Sequence, residues 1–238
     1  MPLTIIGADV ASCTRRVKVV LFEKGVDFVI KPIDWSVGEH KSEAHLAKHP
    51  FGQIPVLDDE GFIIFGEPAF SDVHLLDETP DLSLDPISES RAIGRYIAAK
   101  YADQGTKLIP DPSDLKAVAL FEQAVSVELA DFEPSAGGIV YEKVVNPHKG
   151  IPSDEDKFQK SVEALNSKLD GYERMLTKHK YLAGDEITLV DLWHLPSGEV
   201  VEKYAPQIFE SHPKFNAWWQ TLKNRPSWIK ANEKGSLL

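Results

Sequence analysis

Ser12, Cys13 and Thr14 form an unbroken run of hydroxyl, thiol and hydroxyl side chains, and behind them Val17, Val20 and Leu21 recur at helical spacing. A thiol near a helix N-terminus can be a low-pKa nucleophile, which would support exchange through mixed disulfides. Cys13 also fits a small hydrophobe buried in the first helical turn, the commoner fate of cysteine, and that reading is favoured. His40, His45 and His49 raise the question of a metal, since His45 and His49 stand at i, i+4 spacing. They lie in a charged segment expected to be exposed, with no aspartate nearby to complete a ligand set, so no metal is expected. Arg15-Arg16 is too short a basic run for a phosphate-binding patch. Trp193, Trp218, Trp219 and Trp228 suit a core.

The elements that hold these residues divide into two kinds. Leu3–Gly7 reads as a strand stopped by glycine, Thr14–Lys24 as a helix ended at Gly25, and Asp27–Ile33 as a second strand. A short helix over Glu43–Lys48 ends at His49-Pro50. Ile54–Leu57 and Phe62–Phe65 read as strands joined by a turn over Asp58–Gly61. Glu89–Tyr101 is a helix with Ile93, Tyr96 and Ile97 on one face. This is an α/β order. Beyond a polar stretch with two prolines the strand signals stop. Leu115–Leu129 and Phe158–Leu176 are amphipathic, Thr188 and Asp191 form a capping box, and His212-Pro213 leads into a helix over Phe215–Lys223. The expected division is an α/β domain over 1–104, a linker over 105–114 and an all-helical domain over 115–238.

Four strings then occur in order: Ala11-Ser12-Cys13-Thr14-Arg15-Arg16-Val17, Gly38-Glu39-His40-Lys41, Pro50-Phe51-Gly52-Gln53-Ile54-Pro55 and Glu89-Ser90-Arg91-Ala92-Ile93. Together they resemble the glutathione transferase family, most closely its phi-type members in plants and fungi. With Leu182-Ala183-Gly184-Asp185 and the capping box, the resemblance covers nearly the whole chain. It implies an α/β thioredoxin-like N-terminal domain followed by an all-α helical C-terminal domain, and usually a homodimer. Glutathione would be the co-substrate, a hydrophobic electrophile would enter the cleft between the domains, and no other cofactor would be needed. The implied glutathione residues are His40, Lys41, Gln53, Ile54, Pro55, Glu89, Ser90 and Arg91. Pro55 falls at the family's cis-proline position, where the backbone of Ile54 can pair with an extended tripeptide. Glu89-Ser90 opens a helix whose free N–H groups suit a carboxylate.

The chemistry that the resemblance implies is formation of a thiolate. A free thiol with a pKa near 8.5 is only about 3% ionised at pH 7. A hydroxyl donor at the start of the first helix, helped by the helix dipole, lowers that pKa. Here the chain departs from the pattern, because the count that locates the family's serine lands on Ala11, with Ser12 one place later. Ser12 is the leading candidate for the hydroxyl, and Thr14 is the second. The competing reading is a site that lacks its activator and catalyses weakly. Members that use a cysteine also place it at the Ala11 count, which separates Cys13 from that role. Two further functional readings stand beside conjugation and glutathione-dependent peroxidase activity. One is a non-catalytic binding or regulatory protein on the same fold, and the other is a Cys13-dependent thiol transferase.

Composition narrows the setting. The 238 residues carry 26 Lys and Arg against 37 Asp and Glu, a net charge of −11, which argues against a general nucleic-acid or anionic-membrane binder. A single cysteine excludes an intrachain disulfide, and no run is long and apolar enough for a membrane span. With no leader-like N-terminus, a cytoplasmic home is expected. The acidity is uneven. Gly66–Ser88, 23 residues with six acids, three prolines and no Lys or Arg, separates Phe65 from Glu89, where the family runs directly into Glu-Ser-Arg. Gly66-Glu67 can be encoded GGT GAG and Ser88-Glu89 TCA GAA, which contain splice donor and acceptor strings. Excising the about 69 nucleotides between them keeps the frame and yields Phe-Glu-Ser-Arg-Ala-Ile. A translated intron is therefore expected, against the alternative of an acidic loop that pairs with a partner or covers the site.

Overall fold

The computed structural model describes residues 2–65 and 90–233, so the inserted segment 66–88 and Glu89 lie outside the described residues. Strand β1 (Leu3–Ile6) leads into α1 (Ser12–Lys24) and then β2 (Phe28–Lys31), which lies parallel to β1. The helix ends where expected: Gly25 adopts φ 62° and returns its N–H to the Leu21 and Phe22 carbonyls. A short α2 (Glu43–Leu46) starts at Ser42, whose hydroxyl accepts from the His45 N–H. Strands β3 (Val56–Asp59) and β4 (Phe62–Phe65) complete a four-stranded mixed sheet in the order β2-β1-β3-β4. Asp59 pairs with Phe62, so the connecting loop is only Glu60-Gly61, with φ of 54° and 93°. Both residues have the positive φ that the type I′ form of a two-residue hairpin loop requires. The turn is thus shorter than the sequence suggests, and Asp58 stays in its strand while accepting the Gly61 N–H at 2.9 Å.

After α3 (Ser90–Lys100) every further named element among the described residues is helical. Helix α4 (Leu115–Val127) passes through a π turn at Glu128–Phe132 into α5 (Glu133–Val140). A second π turn at Tyr141–Val145 leads to α6 (Asn146–His148). The helical spacing that is legible from Leu115 fails to continue beyond Leu129, because a π turn rotates the buried face out of the 3.6-residue period. The long α7 (Glu155–Lys178) follows, then α8 (Leu189–Trp193), α9 (Leu195–Tyr204), α10 (Gln207–Ser211), α11 (Pro213–Lys223) and α12 (Pro226–Ala231). The capping box at α8 forms as read, with the Thr188 N–H 2.8 Å from Asp191 Oδ2. Asp191 is fully buried and also accepts from the Leu182 N–H and Trp218 Nε1, which ties the start of α8 to α11. No described helix is long and apolar enough to cross a membrane.

Helix α1 is sandwiched. Val17, Val20 and Leu21 are wholly buried, as their spacing requires, but Arg15, Arg16, Lys18 and Lys24 are also at most 4% exposed. A helix that covers a sheet normally shows its polar side to water. Here the helical half covers that side, and polar partners replace the water. Lys18 Nζ donates to the Ala231 carbonyl at 2.7 Å and pairs with Asp9, and the Arg15 guanidinium pairs with Glu199 over the Trp228 ring.

Candidate active site

The N-terminus of α1 meets β1 and the loop before β3 around Gly7. A Cβ there would lie 3.1 Å from Thr14 Oγ1, 3.5 Å from Ile54 Cβ and 3.6 Å from Pro55 Cα, so the three segments pack closely at this point. The Ile54–Pro55 peptide bond is cis. Ala11 is the extended residue before the helix, Ser12 its first residue, and the first turn carries no acid. No carboxylate within that turn opposes the positive potential of the helix end.

The three polar side chains of the opening run meet different fates. Ser12 is partly exposed, while Thr14 is fully buried. Cys13 is buried among Ile6, Ile33, Ile54 and Val56, and its thiol donates to the Ile54 carbonyl at 3.4 Å. Burial pushes the Cys13 pKa up, against the opposing pull of Arg16. That is the buried packing role favoured from the sequence, and it is the reverse of what a thiolate nucleophile needs.

His40 and Lys41 occupy a single 3-10 turn, Glu39–Lys41. Lys41 is exposed with Nζ 3.0 Å from the Phe51 carbonyl, and the His40 ring lies against Trp35 with centroids 4.5 Å apart. The loop that carries them packs on Gly52, where a Cβ would lie 2.7 Å from the His40 carbonyl. Gln53 follows, half-buried, and its backbone carbonyl is 2.7 Å from His45 Nε2. His45 and His49 are buried, not exposed as their charged neighbours suggest. His49 packs against Phe51 and Phe65, so both rings support the loop.

Ser90 is the first residue of α3 and is fully buried, with its hydroxyl accepting from Arg16 Nη1 at 3.3 Å. Arg91 turns the other way. Its Nε donates to Glu128 at 2.8 Å, its Nη2 also bonds Glu128 and lies 3.6 Å from Glu133, and its guanidinium is buried between α3 and the helical half. Two sets of expected residues are thus joined through α1: Cys13 reaches the cis-proline loop and Arg16 reaches Ser90. Arg16, Glu128 and Glu133 are not singled out for this arrangement by sequence, where the one available signal is a charge within a helix that must be covered. Phe121 in α4 and Phe132 at the end of the first π turn are buried in the core.

Residues 11–100 match the family model described as Glutathione S-transferase, N-terminal domain, and residues 132–226 match Glutathione S-transferase, C-terminal domain. Glutathione S-transferase PM239X14 of Arabidopsis thaliana is 45% identical over 214 residues, 90% of this chain and 88% of that protein. Among solved structures, glutathione transferase F7 from Populus trichocarpa is 36% identical and superposes with a TM-score of 0.83 over 97% of this chain and 98% of its own. A glutathione S-transferase-I bound with the ligand lactoylglutathione is 30% identical, with a TM-score of 0.82 over 97% of this chain and 98% of that one. Sheet order, helical half and sequence agree over nearly the full length: this chain belongs to the glutathione S-transferase family.

Proposed function

We propose that the chain conjugates the thiol of glutathione to hydrophobic electrophiles, with Ser12 as the activating hydroxyl. The observation that carries this reading is the convergence on α1 of an acid-free helix N-terminus, the cis Ile54–Pro55 loop and the Ser90 end of α3. A glutathione sulfur at the start of α1 would meet Ser12, since Thr14 faces Gly7 and Cys13 faces Ile54. Lowering the thiol pKa by about two units stabilises the thiolate by roughly 2.7 kcal/mol and makes it the majority species at neutral pH. The backbone of Ile54 would pair with the tripeptide beside Pro55, with Gln53, His40 and Lys41 toward one carboxylate end and Glu89 and Ser90 toward the other. Arg91 would act by bracing α3, because Glu128 and Glu133 engage its guanidinium.

Retention on immobilised glutathione followed by turnover of a chromogenic aryl halide tests the reading. Ser12→Ala is expected to lower kcat/KM by about 10²-fold or more, in line with loss of one preorganised donor to a developing anion. Full activity in that variant rejects the Ser12 role, and retention without any turnover in the parent chain favours a non-catalytic binding protein. We also propose a homodimer in the cytosol, for which the exposed aromatic side chains Phe51 and Phe62 are supporting observations, and light scattering checks the mass. The proposed division is 1–104, 105–114 and 115–238, with 66–88 a translated intron. A mature transcript that keeps the segment throughout rejects the intron.

A further inference from the structure

Arg16 is 1% exposed and, among the described residues, donates from Nη1 to the Ser90 hydroxyl at 3.3 Å, from Nη2 to Glu133 at 3.2 Å and from Nε to the Trp193 carbonyl at 3.3 Å. The acceptors lie on α3, α5 and α8, so one planar group connects α1 to three other helices. A guanidinium presents its donors in a fixed fork, which suits divergent acceptors better than an ammonium does. Among the described residues its charge is balanced within a buried cluster of two arginines and two glutamates, Arg16, Arg91, Glu128 and Glu133. The π turn makes that balance possible. Five residues along an α-helix would place Glu128 and Glu133 about 140° apart. Instead the Glu133 N–H donates to the Glu128 carbonyl five residues back, and both carboxylates reach Arg91. Ser197 supports Glu133 from α9, 3.2 Å from each of its oxygens.

Ser90 is where this cluster touches the site. A hydroxyl that accepts from a cation is polarised as a donor. It also stands at the first residue of α3, the end that carries the positive pole of the helix. We propose that Arg16 is a positioning residue for glutathione. Acting through Ser90, it holds the carboxylate-receiving end of α3 in register with the thiol-receiving end of α1. This rests on the glutathione reading above.

The test measures binding of S-methylglutathione, which carries both carboxylates and no reactive thiol, by calorimetry on the full chain. If the parent chain does not bind it, the glutathione reading fails and this proposal falls with it. If the parent binds, Arg16→Lys is expected to weaken binding about tenfold, raising KM for glutathione while kcat at saturation stays within about twofold. Ser90→Ala should weaken binding at least as much, and the double variant should bind no worse than Ser90→Ala alone. Losses that multiply in the double variant, or a fall in kcat at unchanged KM, overturn the proposal. Arg225→Lys, at the far end of α1, should lower the melting temperature and leave binding unchanged. An equal loss of binding there means general loosening and also overturns it. Glu133→Gln serves if Arg16→Lys does not fold. It keeps the shape and should weaken binding about threefold, again with no added effect once Ser90 is alanine.

Discussion

The two ends of α1 fasten the same helix to the helical half with charges, but in different environments. At the N-terminal end Arg16, Arg91, Glu128 and Glu133 are each at most 2% exposed. At the C-terminal end Glu23 accepts from Arg225, Ser227 and Thr106, and the Arg225 side chain remains 25% exposed. Water can partly replace a lost partner at the second end and cannot at the first. The dry end is therefore rigid and intolerant, which suits a region that must hold two helix N-termini in place. The wetter end is a clasp.

The largest effect should come from breaking the dry end. Arg91→Met leaves the Glu128 carboxylate buried without its bidentate partner and should cost about 3–5 kcal/mol in urea unfolding. Adding Glu128→Leu should recover most of that loss, because a buried apolar pair of similar volume is often as stable as the ion pair it replaces. A loss below about 1 kcal/mol for Arg91→Met would mean that water reaches the cluster, and the contrast would collapse. The matching change at the other end, Arg225→Met, should cost only about 1–2 kcal/mol, since it removes charge-assisted bonds at a site that stays partly hydrated.

Acid should separate the ends further. His194 packs against Phe132 beside the dry cluster, and burial lowers its pKa from 6.5 to about 3. Its unfolded form binds a proton that its folded form refuses, so stability is complete above about pH 6.5 and falls as pH drops toward 3. The slope from this one group is about 1.4 kcal/mol per pH unit, and His194→Gln should remove it from a melting series between pH 6 and 4. For Glu23, burial alone would raise the pKa, but the bonds from Arg225, Ser227 and Thr106 outweigh it and hold the carboxyl below its ordinary 4.5. Its contribution is present above that value and is lost only as pH falls further, and Arg225→Met should flatten that lower part of the curve. The smallest effect belongs to Cys13→Ser. It should leave aryl halide turnover within about twofold, and lost turnover or a lost thiol–disulfide exchange activity would restore the cysteine reading.

Much of the fold could be read before any coordinates, and for local reasons. Gly25 ends α1, Thr188 and Asp191 cap α8, and a hairpin turn falls within 58–61, all through interactions that span only a few residues. The boundaries of β1, α1, α4 and α7 follow hydrophobic spacing to within a few residues. The proline at 55 and the serines at 12 and 90 could be singled out by the company they keep in sequence. Nothing local told that Arg91 would be engaged by Glu128, that His45 and His49 would be buried, or that helix would continue past Leu129.

Those outcomes share a cause. The environment of Arg16 depends on Ser90, Glu133 and Trp193, which lie 74, 117 and 177 residues away in the chain. Local sequence sets where α1 begins, where it ends and which face is apolar, because backbone hydrogen bonds and side-chain spacing decide these within one or two turns. Whether its polar face meets water or a second domain is decided by packing over long range. So is the use of Ser12, Cys13 and Thr14, three neighbours of similar size. Tertiary contacts turn one toward solvent, one onto the Ile54 carbonyl and one against Gly7, and the chemistry open to each follows from that placement.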